Sequence, residues 1–207
     1  METLRLNVNF GVTAVGVSAY ELFDKNQMKV ARVILTGDGY MFAYSEWGNY
    51  AYYWPKCGDI WNFIMGIEKT YFANKMMQSV ADIYDYEKAR TVTSLFAENV
   101  LPLLKEAIRI ERRNEDLKGK RLDEIEPVFV DFIPHQLEAG KLYISERFKM
   151  TSHLCPCGCH SVVLMPLGME WKLTKKDGKV TLRPSVGLQD YPCKSHYYIT
   201  DNKIEWL

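Results

Sequence analysis

The 207-residue sequence contains no run of about 18 apolar side chains, so no helix is expected to cross a bilayer. Its opening residues, METLRLNVNF, show no basic stretch, apolar core or small-residue cleavage site. With no signal peptide to read, a reducing cytoplasm is the expected compartment. Charge of one sign is missing too: 26 Lys and Arg stand against 26 Asp and Glu. A constitutive nucleic-acid binder needs a basic face to release counterions from phosphates, so that class is not expected. Cysteine is scarce, with five residues at positions 57, 155, 157, 159 and 193. In a reducing compartment, clustered thiols are more often metal ligands or redox groups than disulfides. There is no HExxH motif and no internal repeat.

Apolar residues make up 47% of the chain, enough for a packed core without disulfides. Residues 3–10 alternate Leu4, Leu6, Val8 and Phe10 with polar side chains, the period of a half-buried strand. A second strand is expected over 28–35, closed by Gly37-Asp38-Gly39. Two aromatic-rich strands should follow at 40–45 and 49–54, ended by Pro55. Ile60, Phe63, Ile64, Ile67 and Tyr71 then recur at helical spacing, predicting one helix over 59–76 with Asp59 as N-cap. A second helix starts near Asp85, and Pro102 is expected to kink or split it. Periodicity fades from Arg109 to Glu126 as charges of both signs crowd in, which reads as a frayed helix end and a solvated linker. Beyond Pro127, short apolar runs punctuated by glycine and proline read as strands.

The fold class expected is therefore α+β. Residues 1–112 should form a small antiparallel sheet with two or three helices, 113–126 a charged linker, and 127–207 a small all-β metal-binding domain.

Two motifs carry the chemistry: His153-Leu-Cys155-Pro-Cys157-Gly-Cys159-His160 and Cys193-Lys-Ser-His196. Tetrahedral zinc takes four Cys or His ligands, and two loops giving two each is the simplest way to supply them. Pro156 and Gly158 suit a tight turn, where glycine permits φ > 0 and close approach of amides to sulfur. The candidate ligands are Cys155, Cys157, Cys159, Cys193 and His196. His153 and His160 are candidates of lower rank, read as neighbours or outer donors, and Cys57 reads as a lone thiol. A Rieske iron–sulfur cluster is the alternative occupant, because its centre draws two cysteines and two histidines from two β-loops. The first loop lacks the C-x-H step such clusters use. Glu146 and Asp190 are isolated charges with no motif around them to mark a base. With more than four ligands on offer the site reads as closed, which suits a structural ion more than a catalytic one.

At FIPHQLEAGKLYISERF, HLCPCGC, VVLMPL, VTLRPSVG and PCKSHYYITDNKIEWL the chain resembles a family of small bacterial and phage proteins with a domain of unknown function. The resemblance implies cysteine-rich metal binding, a genetic neighbourhood of bacterial ubiquitin-like conjugation components for some members, and no established enzymatic activity. His160 departs from it, standing where the family favours glycine. SEWGNYAYYWP and FIMGIEKTYFANKMM more loosely resemble hypothetical proteins of phages and mobile elements. The function expected is a zinc-stabilised interaction or accessory module, with a metalloenzyme or redox protein as the alternative. Trp47, Tyr50, Tyr52, Tyr53, Trp54 and Trp61 could offer a protein partner an aromatic surface, although such rings more often fill a core.

Overall fold

A computed structural model describes residues 16–80, 85–168 and 170–207. Strand 3–10 of the sequence reading lies outside them. Among the described residues the chain mixes three α-helices with three four-stranded sheets. It divides into two compact units. The first comprises the described chain up to Tyr20 with Arg32–Ala97, and the second Glu21–Ala31 with Glu98–Leu207.

The first sheet has the order β1-β2-β3-β4, from Val17–Phe23, Lys29–Thr36, Tyr40–Ser45 and Gly48–Tyr53. β3 and β4 pair antiparallel, Tyr40 opposite Tyr53 and Ser45 opposite Gly48. In the first unit, Met41, Tyr50 and Trp54 turn inward to meet Ile60, Ile64, Phe72, Met76 and Phe96, all buried. Phe72 stacks on Phe96 and Tyr50 lies tilted against it, at centroid distances of 5.8 and 4.2 Å. Tyr50 and Trp54 thus belong to the core, whereas Tyr40, Phe42, Tyr44 and Tyr53 are exposed.

Where one helix was expected over 59–76, the structure has two, α1 (Ile60–Gly66) and α2 (Lys69–Gln78). Asp59 does cap α1, accepting from the Asn62 N–H at 2.7 Å. The break falls at Gly66-Ile67-Glu68, where Ile67 and Glu68 take extended backbone. Periodicity alone cannot register such a break, because Ile67 keeps its place in the apolar pattern. The split offered at Pro102 does not occur, since α3 runs unbroken from Tyr86 to Leu117 with Pro102 inside it. Its end is not frayed. Arg109 makes two hydrogen bonds to the buried carboxylate of Glu138, at 2.6 and 3.2 Å, and Arg113 and Lys141 pair with the same group at 3.0 and 2.9 Å. Burial would raise that carboxyl, but its hydrogen bonds to Arg109 and Lys141 and their charges hold it below the usual carboxylate value.

The second unit carries two sheets. One has the order β5-β6-β7-β8, from Glu126–Phe129, Lys141–Ser145, Met150–Leu154 and Val162–Pro166. Its first pair is parallel and the others antiparallel. The other sheet has the order β12-β11-β10-β9, from Lys203–Trp206, His196–Thr200, Lys179–Gly187 and Lys172–Lys176. Leu142, Ile144, Val163 and Met165 of the first sheet form one core with Val180, Leu182, Val186, Tyr197 and Ile199 of the second. Cys155 belongs to that core, and Cys157 and Cys193 pack against it.

Candidate metal centre

The two cysteine motifs fall on loops that leave this core at one place. The first connects β7 to β8 and the second β10 to β11. In the first, the Cys155 N–H donates to Ser161 O at 2.8 Å and the Gly158 N–H to Cys155 O at 3.3 Å, so the chain turns tightly through Pro156-Cys157-Gly158. Gly158 has φ +87°, and a side chain there would meet backbone atoms of Gly119 and Lys120 at 2.6–2.8 Å. The loop is also tied by hydrogen bonds from the Gly119 N–H to Gly158 O and from the Leu122 N–H to Pro156 O, at 2.9 and 2.8 Å. In the second loop the Leu188 N–H reaches Ser195 O at 2.9 Å and the Lys194 N–H reaches Tyr191 O at 3.0 Å.

These turns bring the sulfurs of Cys155, Cys157, Cys159 and Cys193 within 4.8 Å of one another. All four are free thiols, with Cys155 buried and Cys159 exposed. In a tetrahedral Zn–S₄ centre with bonds near 2.3 Å the sulfurs stand about 3.8 Å apart, so these side chains need only small adjustments to hold an ion. Burial pushes the Cys155 thiol far up. For Cys157 burial works in the same direction, but hydrogen bonds involving Ser195, Cys159 and Cys155 outweigh it and lower the thiol below its ordinary value. Hydrogen bonding to Ser195 works to lower both thiols, and Ser195 is itself buried. Beneath them Tyr197 is fully buried, and burial together with the nearby cysteines raises its hydroxyl.

The expected histidine ligand is elsewhere. His196 begins β11, opposite Gly187 of β10, and its Nε2 lies 3.0 Å from Ser185 Oγ. The C-x-x-H spacing misleads because Lys194 takes φ +47° and strand pairing then turns the imidazole toward β10. His153 is fully buried on β7, its Nε2 2.7 Å from the Tyr197 hydroxyl, and burial lowers its pKa to about 3. His160 lies beyond the turn at φ +58°. Cys57 lies in the other unit. Glu146 pairs with Lys175, and Asp190 is exposed. Among the described residues that four-sulfur group holds no histidine.

One pair was not foreseen. The register of β10 against β11 is irregular between Leu182 and Val186, and Ser185 lies in that stretch. Such irregularities re-aim side chains, and here the hydroxyl meets His196. PSVG and SH are too short to announce a pair that only strand pairing creates.

Comparison with known families gives two matches. Residues 12–127, more than half of the chain, match a phage family, and the chain belongs to it. Residues 129–207 match the family described as bacterial ubiquitination-like system serine protease (BubE). Both agree with the resemblances seen in the sequence, and the second description adds an activity that the resemblance did not imply. No curated protein and no solved structure matches the chain.

Proposed function

We propose that this phage-family chain carries, in its second unit, a serine-type peptidase serving a ubiquitination-like system, fastened by a structural zinc ion on Cys155, Cys157, Cys159 and Cys193. The observation that carries the reading is the 3.0 Å approach of Ser185 Oγ to His196 Nε2, both side chains half-buried and so within reach of substrate. A hydroxyl is a weak nucleophile until a neighbouring base accepts its proton, and a histidine at hydrogen-bond distance is the usual base. His196 takes the proton as Ser185 Oγ bonds to the scissile carbonyl carbon. It returns that proton to the leaving amine as the C–N bond breaks, leaving an acyl-serine. Water then loses a proton to His196 and attacks the ester, and His196 returns that proton to Ser185 Oγ as the ester bond breaks and the acid is freed. Zinc supplies no step. Cys155, Cys157, Cys159 and Cys193 would hold it, and a centre of four thiolates would serve to fix the loop that leads into His196.

A fluorophosphonate probe, whose phosphorus is attacked by an activated serine with loss of fluoride, tests this. It should label the wild-type protein and leave Ser185→Ala and His196→Ala unlabelled, both variants keeping one metal per chain. Equal labelling of Ser185→Ala would end the assignment.

The closed four-sulfur group also supports a second reading, a metal-stabilised accessory module without hydrolysis, meeting a protein partner through Tyr40, Phe42, Tyr44 and Tyr53. Under it no serine is labelled, and alanine at these four tyrosine and phenylalanine positions abolishes co-elution with a protein of a bacterial ubiquitination-like conjugation system.

A further inference from the structure

Sheet edges carry unpaired backbone groups that invite another strand, and proteins normally block them with charge, proline or cover. In the second unit three of the four edges are managed in this way. β12 is covered by 123–125, through the Ile204 N–H on Asp123 O and the Ile125 N–H on Asn202 O, each 2.8 Å. β9 presents the exposed lysines Lys172, Lys175 and Lys176. β5 is four residues long and contains Pro127. β8 is the least blocked: it carries no charge, its one proline, Pro166, stands at its very end, and Val162 and Leu164 are 53% and 54% exposed.

The direction of its backbone groups follows from the register. β8 pairs with β7 through His153 opposite Val163 and Thr151 opposite Met165. The carbonyls of Val163 and Met165 face β7, where they accept from Ser152 Oγ at 3.1 Å and Thr151 Oγ1 at 3.5 Å. Groups alternate along a strand, so the N–H and C=O of Val162 and Leu164 face the open edge. One of them is already in use. The Tyr191 hydroxyl donates to Val162 O at 3.4 Å, where the N–H of an added strand would donate. Tyr191 belongs to the loop that joins the strand of Ser185 to that of His196.

We propose that the open edge of β8 binds the extended backbone of the peptide substrate, which adds as a fifth strand with apolar side chains against Val162 and Leu164. This rests on the peptidase reading and names its substrate class: an unfolded tail or linker able to lie as a strand, rather than a folded surface. Main-chain hydrogen bonds supply affinity in this mode, and alternate side-chain contacts supply selectivity. Tyr191 gives way or takes the end of the added strand, which leads the chain toward the loop that joins the strands of the reacting pair.

The test is binding, not turnover. A fluorescein-labelled octapeptide alternating leucine and serine is titrated against the Ser185→Ala protein, with anisotropy as the readout. Binding is expected for the plain peptide. It should weaken at least ten-fold when the peptide is N-methylated along its backbone, which leaves the protein untouched. Leu164→Pro, which removes an outward N–H at an edge where proline is tolerated, and Leu164→Lys should each weaken it as much. Undiminished binding by the methylated peptide, or no binding of the plain one at millimolar protein, overturns the proposal. Edge-dependent binding in a wild-type protein that no fluorophosphonate labels would retain the edge and discard the catalytic pair.

Discussion

The backbone N–H of Gly119 donates to the carbonyl of Gly158, joining the end of the long helix α3 to the tip of the cysteine turn. The contact is so close that nothing larger than hydrogen fits on the Cα of Gly158. Gly158→Ala should therefore lose stability twice, from the left-handed backbone at φ +87° and from a methyl group pressed on backbone that cannot yield. A cost of about 2–4 kcal/mol is expected. Thermal unfolding with metal analysis on the same samples checks it, and an unchanged melting temperature would show that the turn docks differently.

Replacing Cys155, Cys157, Cys159 or Cys193 singly by serine should lower the metal content from one per chain toward none and cause a large fall in melting temperature. A structural zinc site is worth on the order of 10 kcal/mol of folding free energy. His196→Ala should keep its metal in full. Inductively coupled plasma mass spectrometry distinguishes these sets, and metal loss in His196→Ala would restore the imidazole as a ligand.

Ser195 works to lower the thiols of Cys155 and Cys157 without belonging to the four-sulfur group. Ser195→Ala should leave one metal per chain but weaken its binding by about ten-fold, the lower end of what lost outer-layer hydrogen bonds cost. Competition against a chelator of known affinity measures this.

Glu138 sets the acid limb of stability. Its folded carboxyl lies below the ordinary value of 4.5, so its contribution is complete above that pH and fades as pH falls through the folded value. Glu138→Gln should cost about 2–3 kcal/mol near neutrality, less than a fully buried pair because Arg109 and Arg113 are half exposed. Wild type and variant should converge at acidic pH. Chemical unfolding at pH 7 and pH 3.5 reads the difference, and a gap as wide at the lower pH would refute the linkage.

Much of the strand content was legible because alternation survives wherever one face is buried. KLYIS and HYYIT are strands over those same residues. The Asp59 cap and the convergence of the two cysteine loops were legible too, since both follow from local chemistry and spacing. What escaped depends on partners distant in sequence. α3 tolerates Pro102 and continues through a stretch that looked solvated, because Arg109 and Arg113 find Glu138 some 25–29 residues away. His196 looked like a ligand beside Cys193 until pairing with β10 turned it toward Ser185. Val17–Phe23 was missed, though Tyr20 and Leu22 alternate with exposed neighbours.

Cys193, Ser195 and His196 occupy four consecutive positions with Lys194. Whatever tethers the first of them also sets the reach of the last, so a batch of protein only partly loaded with ion should behave as a mixture of competent and idle molecules. If the proposed peptidase reading holds, specific activity would then rise in straight proportion to occupancy, and stripping the ion would silence a reaction whose chemistry never involves it.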